Sequence, residues 1–348
     1  RLVALFPAVG EKQADEGGSG LLPLALHAMQ TGEPYPLKAY VVYQHDPLTE
    51  LPEPDRLKTI FGSLDFLLCV TAAWTETAWQ ADLVLPLSPY LERESIVAER
   101  HGLRPGFLLR RRCAPPRFDT RADCEIVGGL ARRLGLETIA FAAVEEIWRY
   151  QLEGTGVAPR DFEAKGFVEL AGQPQYDRMQ AGFRFPTASG KIEVVNGRWR
   201  EQGRSSLAPY TAKPSPAAGS FRLTIGGCSL HVEGHTVNNP LLFKQMPENV
   251  LWMNLSAAAD MGIADGETVA VAGPGGSGRI KAKLTELIHP EAVFMVRGFG
   301  RSLPVESRAR GRGLADTLLM GGLPDQFDPT GGGLALQEHF VAVTKIAS

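Results

Sequence analysis

The first half of the chain is a series of short, continuously apolar runs separated by polar turns. Leu2-Val3-Ala4-Leu5-Phe6, Ala39-Tyr40-Val41-Val42-Tyr43, Phe66-Leu67-Leu68-Cys69-Val70 and Ala81 to Leu85 all have strand length. Stretches of helical length are Leu21 to Met29, Asp55 to Leu64, Glu125 to Leu134 (closing at Gly135) and Val144 to Leu152. Buried strands joined by such stretches predict an α/β fold with an open, mostly parallel, Rossmann-like sheet whose ligands sit outside the strand carboxyl ends. Gln44-His45-Asp46-Pro47-Leu48 follows one strand directly, and Thr71, Thr75 and Thr77 follow the next. Both groups are therefore expected at the ligand edge. Arg110 to Cys113 reads as a basic strand, and Phe185 to Val194 as a turn feeding a strand. Residues 153–184 carry no clear pattern.

The pattern changes beyond residue 204. Residues 205–219, rich in Ser, Pro and Ala, read as a linker. Short strands separated by glycine turns follow, at Phe221 to Ile225, Val250 to Asn254, Thr268 to Ala272, Arg279 to Leu284 and Val293 to Val296. They predict a compact β-barrel. The expected organisation is an α/β domain over 1–204, a linker over 205–219 and a barrel domain over 220–348.

A length of 348 residues suits two domains. A net charge of −3 argues against a nucleic-acid partner, which requires an electropositive footprint. No apolar run approaches the ~18 residues that cross a bilayer, and no basic–apolar–small leader opens the chain. It begins at Arg1 with a strand in progress, which reads as a piece of a longer protein or a processed product. Cys69, Cys113, Cys124 and Cys228 are widely spaced and lack a Cys-x-x-Cys pair. That spacing supports neither a zinc site nor an iron–sulfur cluster and leaves a disulfide open.

Candidate chemistry concentrates after the first barrel strand, in Gly226-Gly227-Cys228-Ser229-Leu230-His231-Val232-Glu233-Gly234-His235-Thr236-Val237-Asn238-Asn239. Two imidazoles in a glycine-broken loop fall short of a helical His-Glu-x-x-His, so a metal site is disfavoured. The loop reads instead as a polar cradle, with backbone N–H groups and small side chains passing close to a flat, heteroatom-rich ligand. Gly17-Gly18-Ser19-Gly20 lacks the Lys-Ser/Thr of a P-loop and reads as a flexible connection. Read from the residues alone, Glu92 and Arg93 are a surface ion pair worth little. Asp123 reads as the N-cap of the following helix, with lone pairs left for a second role.

The ordered series Thr75-Glu76-Thr77-Ala78, Ala81-Asp82, Val84-Leu85-Pro86 and Tyr90-Leu91-Glu92-Arg93 resembles the third domain of molybdopterin oxidoreductases of the dimethyl-sulfoxide-reductase type. Its ending is most similar to polysulfide and thiosulfate reductase catalytic subunits. Thr187-Ala188-Ser189-Gly190-Lys191-Ile192-Glu193, His235-Thr236 and Asn238-Asn239-Pro240-Leu241 extend the resemblance. So do Asp316-Thr317-Leu318-Leu319 and His339-Phe340-Val341-Ala342-Val343, and together they cover nearly the whole chain. The resemblance implies a double-psi-like six-stranded barrel and a molybdenum (or tungsten) bis(molybdopterin guanine dinucleotide) cofactor. It implies cofactor-binding roles for Asp46, Thr71, Thr75, Arg93, Asp123, Gly227, Cys228, Ser229, His231, His235, Thr236, Asp316 and His339, with no catalytic acid or base and no metal ligand among them. Several positions depart from the family: Asp46 for Asn, Thr71 for Asp, Gly227 for Arg, Arg297 for His and Asp316 for Asn.

The resemblance also implies an N-terminal half of the same subunit, outside this chain, carrying the metal-ligating residue and a 4Fe-4S cluster. The chain would be inactive without it. The further partners implied are an iron–sulfur electron-transfer subunit and a membrane anchor subunit, with no direct membrane insertion of this chain. Export to the periplasm by the Tat route is expected, and the substrate is thiosulfate, polysulfide, tetrathionate or arsenate. A second expectation is a scaffold of a respiratory complex that has lost molybdenum.

Overall fold

A computed structural model describes residues 22–101, 104–170, 182–195, 197–201, 203, 205–207, 210, 212, 214–304, 307–323, 334 and 336–346. The expected opening strand and the Gly17–Gly20 loop lie outside them. By contact the chain divides into two compact units, Arg1–Pro86 with Ser215–Ser348, and Leu87–Pro214. Within the first unit, ion pairs from the barrel reach back to the segment around Asp46.

In the first unit the chain runs α1 (Leu22–Thr31), β1 (Ala39–Tyr43), α2 (Pro47–Glu50), α3 (Pro54–Gly62), β2 (Phe66–Thr71), α4 (Glu76–Gln80) and β3 (Leu83–Pro86). The three strands form a parallel sheet in the order β1-β2-β3. One face packs Val42, Leu67 and Cys69 against Leu26 and Met29 of α1 and Leu57, Ile60 and Phe61 of α3. Burying each such side chain contributes about 1.5–3 kcal/mol. Burial, and secondarily the charge of Asp46, pushes the Cys69 thiol up to about 11. That is the behaviour of a core cysteine, and all four cysteines are free thiols. The stretch read as a turn between β2 and β3 contains α4. Thr75 starts this helix, its hydroxyl accepting from Ala78 N at 3.0 Å, as an N-cap threonine does.

The second unit carries β4 (Ala98–Arg100), β5 (Gly106–Leu108), α5 (Asp123–Arg133), α6 (Val144–Leu152), β6 (Phe167–Glu169) and α7 (Gly197–Glu201). Strands β4, β5 and β6 form a small antiparallel sheet. Val97, Leu109, Trp148, Leu152 and Phe162 make its core. Arg110 to Cys113 is not a strand. Its N–H groups donate instead to Ser95 Oγ, Glu94 Oε2 and Leu91 O, which leaves no ladder to join. The arginines stack on aromatic faces, Arg110 over Tyr90 and Arg111 over Trp148. The strand expected after Gly190 is also absent. Glu193 Oε1 accepts from Ser189 N and Lys191 O from Thr187 Oγ1, so the segment folds back on its own turn.

The barrel, in the first unit, is built from β7 (Ser220–Gly226), β8 (Leu251–Asn254), β9 (Thr268–Gly273), β10 (Gly276–Thr285), β11 (Ala292–Val296) and β12 (Phe340–Lys345), with the short helices α8 (Pro240–Gln245) and α9 (Leu255–Asp260) between strands. The six strands close in the order β10-β8-β11-β7-β12-β9. Pairs β8–β10 and β7–β11 are parallel and the others antiparallel. Alternate residues fill the interior: Phe221, Leu223 and Ile225 from β7, Leu251 and Met253 from β8, Val293 and Met295 from β11. The fold is thus the expected α/β assembly with a parallel sheet and a closed six-stranded barrel.

Candidate functional site

Strand β7 ends at Gly226, and the loop beyond it carries most of the expected site. Arg297 N donates to Gly226 O at 3.1 Å. Among the described residues the N–H groups of Gly227, Cys228 and Ser229 make no hydrogen bond, and Gly227 and Ser229 are exposed. A Cβ at Gly227 would meet nothing within 4 Å. Three open amides and a serine hydroxyl at a strand's carboxyl end suit an anionic or heteroatom-rich ligand such as a pterin or diphosphate. These residues fit a pterin dinucleotide.

The rest of the loop is held from within. His231 is buried; its Nε2 lies 3.0 Å from Met246 O and its Nδ1 3.4 Å from Thr236 Oγ1. Met246 O can only accept, so Nε2 carries the hydrogen there, and Thr236, whose Oγ1 also accepts from Val232 N at 2.8 Å, donates to Nδ1. His231 thereby shapes the loop, and Cys228 Sγ sits 3.8 Å from Met246 Sδ beneath it. His235 faces the α/β segment, with Nε2 3.5 Å from Glu50 Oε1, while His45 Nε2 stands 2.9 Å from Glu50 Oε2. Burial raises the Glu50 carboxyl, but the hydrogen bonds from both imidazoles outweigh it and bring it down to about 2. The same bond to Glu50 raises His235 against the opposing effect of burial.

Asp46 lies at the sheet edge as expected, but its carboxylate is only 1% exposed. Oδ1 accepts from Thr77 N at 3.0 Å and Thr77 Oγ1 at 2.7 Å. Oδ2 accepts from Thr49 Oγ1 at 2.7 Å, Glu76 N at 3.4 Å and Arg301 Nη1 at 3.2 Å. These donors occupy the carboxylate's acceptor sites. Thr71 is buried and its hydroxyl donates to Ala73 O; Thr75 is spent on capping α4. Asp316 is buried against Arg297 Nε at 3.2 Å, and burial raises its carboxyl above the usual range despite that cation. His339 is buried where β12 begins, its carbonyl accepting from Leu223 N, and burial lowers its imidazole.

In the second unit Arg93 pairs with Asp123 at 2.5 Å. The pair adjoins a cleft of about 590 Å³ lined in part by Arg93, Arg112, Arg121, Arg132, Asp119 and Thr120. Ala122 is the N-cap of α5; Glu125 Oε2 accepts from Ala122 N, and Asp123 is the first helical residue. The cleft's guanidinium groups suit a phosphate and its acids a base edge or ribose. The structure thus gathers Asp46, Thr75, Gly227, Cys228, Ser229, His231, His235, Thr236, Asp316 and His339 in one unit, and Arg93 with Asp123 in the other.

Sequence reading missed Glu50, Glu76 and Arg301. Glu76 Oε1 accepts from Ser302 N at 2.8 Å and Leu303 N at 3.0 Å. The only local signal was an arginine directly after Gly298-Phe299-Gly300.

Two family models match the chain. Residues 13–133 match the molybdopterin oxidoreductase family and 221–333 the molydopterin dinucleotide binding domain. The chain is 26% identical over 325 residues to the thiosulfate reductase molybdopterin-containing subunit PhsA of Salmonella typhimurium, covering 85% of this chain and 42% of that protein. It is 23% identical over 283 residues to the menaquinone reductase, molybdopterin-binding-like subunit of Nitratidesulfovibrio vulgaris, covering 81% and 38%. Its fold is similar to that of acetylene hydratase from Pelobacter acetylenicus, with a TM-score of 0.79, 20% identity and coverage of 93% of this chain and 46% of that one. The chain therefore spans less than half the length of each of these proteins. By these matches the chain carries two domains of the molybdopterin oxidoreductase family, the pair that serves a molybdenum bis(molybdopterin guanine dinucleotide) cofactor.

Proposed function

We propose that the chain is the cofactor-binding part of a respiratory molybdenum or tungsten oxidoreductase that reduces a sulfur compound: thiosulfate, polysulfide or tetrathionate. The observation that carries this reading is the likeness to the thiosulfate reductase subunit along 85% of the chain. When bound, the metal centre supplies two-electron redox chemistry. The chain's own residues bind and orient. The open amides of Gly227, Cys228 and Ser229 and the Ser229 hydroxyl receive the pterin and phosphate end, and Arg93, Asp123 and the surrounding arginines receive the guanosine end. None of these side chains is assigned a catalytic proton transfer. The metal-ligating residue, the 4Fe-4S cluster, an iron–sulfur electron-transfer subunit and a membrane anchor belong to the same proposal, as does a periplasmic location after Tat export. Among the described residues no helix is long and apolar enough to cross a membrane.

The test is reduction of thiosulfate, polysulfide and tetrathionate by the full-length subunit with a reduced viologen dye. Turnover of at least one supports the reading. Turnover of none, by protein that carries its metal, removes the sulfur-compound assignment.

A second reading is a scaffold subunit of a respiratory complex without molybdenum. The menaquinone reductase relative, described as molybdopterin-binding-like, favours it. So does the internal saturation of Asp46, a position expected to face the cofactor.

A further inference from the structure

Among the described residues Arg301 is the one buried Lys or Arg side chain, only 6% exposed. Its Nη1 donates to Asp46 Oδ2 at 3.2 Å and its Nη2 to Gly234 O at 2.6 Å. A Cβ on Gly234 would lie 2.2 Å from that Nη2, so only glycine lets the guanidinium reach the loop backbone. Gly298, three residues earlier, has φ +86°, and a Cβ there would lie 2.4 Å from Glu233 C. The turn 298–301 is therefore pressed against Glu233 and Gly234 backbone to backbone. Directly after Arg301, the N–H groups of Ser302 and Leu303 dock on Glu76. The guanidinium thus joins the edge turn at Asp46 to the loop that follows β7, and the two residues after it dock on the start of α4.

Burying an ion pair costs desolvation that an apolar pair of similar volume avoids, so such a pair contributes little net stability. What it contributes here is register. The loop leaves β7 at Gly226, where the strand fixes it, and is fixed again at Gly234 by Arg301. The open amides of residues 227–229 lie between these two anchors.

We propose that Arg301, seated on Asp46, is a positioning residue that sets the loop 227–236 in its binding conformation before the cofactor arrives. Asp46 is its pedestal and not a cofactor ligand. This rests on the functional reading above only for what the loop binds.

The test uses the full-length protein. Hydrogen exchange of the cofactor-free form, from a host that cannot make the pterin, is compared for wild type, Arg301→Lys, Arg301→Gln and Asp46→Asn. Retained molybdopterin guanine dinucleotide is measured in the same variants from the normal host. In Arg301→Gln, exchange across 231–236 should rise about tenfold with the β7 and β11 peptides unchanged, as expected of local opening. Retained dinucleotide per folded chain should fall about tenfold, the counterpart of losing ~1.4 kcal/mol. Arg301→Lys should fall between, because a point ammonium cannot span both acceptors. Should Arg301→Gln fail to fold, Asp46→Asn, which keeps the fork on Gly234 but removes its counter-charge, gives the same comparison. Unchanged loop exchange, or an equal rise in every barrel peptide, overturns the proposal. Wild-type protein that retains no dinucleotide would contradict the functional reading while leaving the exchange result to judge Arg301.

Discussion

His235 Nε2 stands 3.5 Å from Glu50 Oε1, so the loop after β7 is tethered to the helix that follows β1. Titration of the two groups bounds the tether from both sides. Glu50, lowered to about 2, contributes stability above its ordinary value of 4.5 and loses it as pH falls through about 2. His235, raised above 6.5, contributes fully below 6.5 and loses its share as pH rises through the folded value. His45 on the other Glu50 oxygen, Asp46 and Arg301 complete the charged surroundings. Protection across residues 233–236, relative to the base-catalysed intrinsic exchange rate, is expected to be greatest between about pH 4.5 and 6.5 and to fall above it. In Glu50→Gln the alkaline loss of protection should vanish. Hydrogen exchange against pH in both proteins checks this, and an identical profile would contradict it.

Gly298→Ala should be among the most damaging single methyl additions in the chain. It forces a side chain into positive φ and onto the Glu233 backbone at 2.4 Å. The expected loss is about 2 kcal/mol or more. Gly219→Ala has a similar φ of +75° but meets nothing within 4 Å, so it should cost about 1 kcal/mol. Thermal unfolding of the pair separates contact from backbone strain, and equal losses would show the contact to be relieved.

Asn249 is a buried bracket between the end of β11 and the segment at Leu314. Its Nδ2 donates to Val296 O at 2.7 Å and Leu314 O at 2.9 Å, and its Oδ1 accepts from Leu314 N at 2.9 Å. Asn249→Leu leaves these backbone groups without partners, at about 1–3 kcal/mol for a buried polar group. A total loss of ~3 kcal/mol or more is expected in denaturant unfolding. A loss under ~1 kcal/mol would mean that water enters the bracket.

Arg93→Ala should weaken nucleotide retention without unfolding the second unit. The side chain pairs with Asp123 beside the cleft, and under the proposed function its guanidinium is the charge-assisted donor for phosphate. Losing such a bond costs ~1.5 kcal/mol, or about tenfold in affinity. Guanine nucleotide released per folded chain on denaturation measures this. A full complement in the variant would move the guanosine site away from Arg93.

Much of the fold was legible because its signals are local. Strand Ala39–Tyr43 and helix Val144–Leu152 form where the apolar periodicity puts them, and the barrel strands expected from the glycine-bounded runs fall within three residues of them. Helix α4 spans Glu76–Gln80, too short to show a helical repeat. Arg110–Cys113 has strand composition, but side chains and loop carbonyls already hold its backbone. At the site the glycine loop was visible as chemistry, whereas the partner of Asp46 was not. Arg301 is 255 residues away, and no local pattern couples them. Asp46 therefore read as an acceptor awaiting a ligand, when five donors within the chain already surround it.

The central claim, a molybdenum or tungsten pterin enzyme, is tested most directly by elemental analysis of the full-length protein purified from its native host. The account predicts about one metal atom per polypeptide, accompanied by pterin, as a cofactor-borne redox chemistry requires. Folded, full-length protein with neither metal would contradict it and leave the scaffold reading.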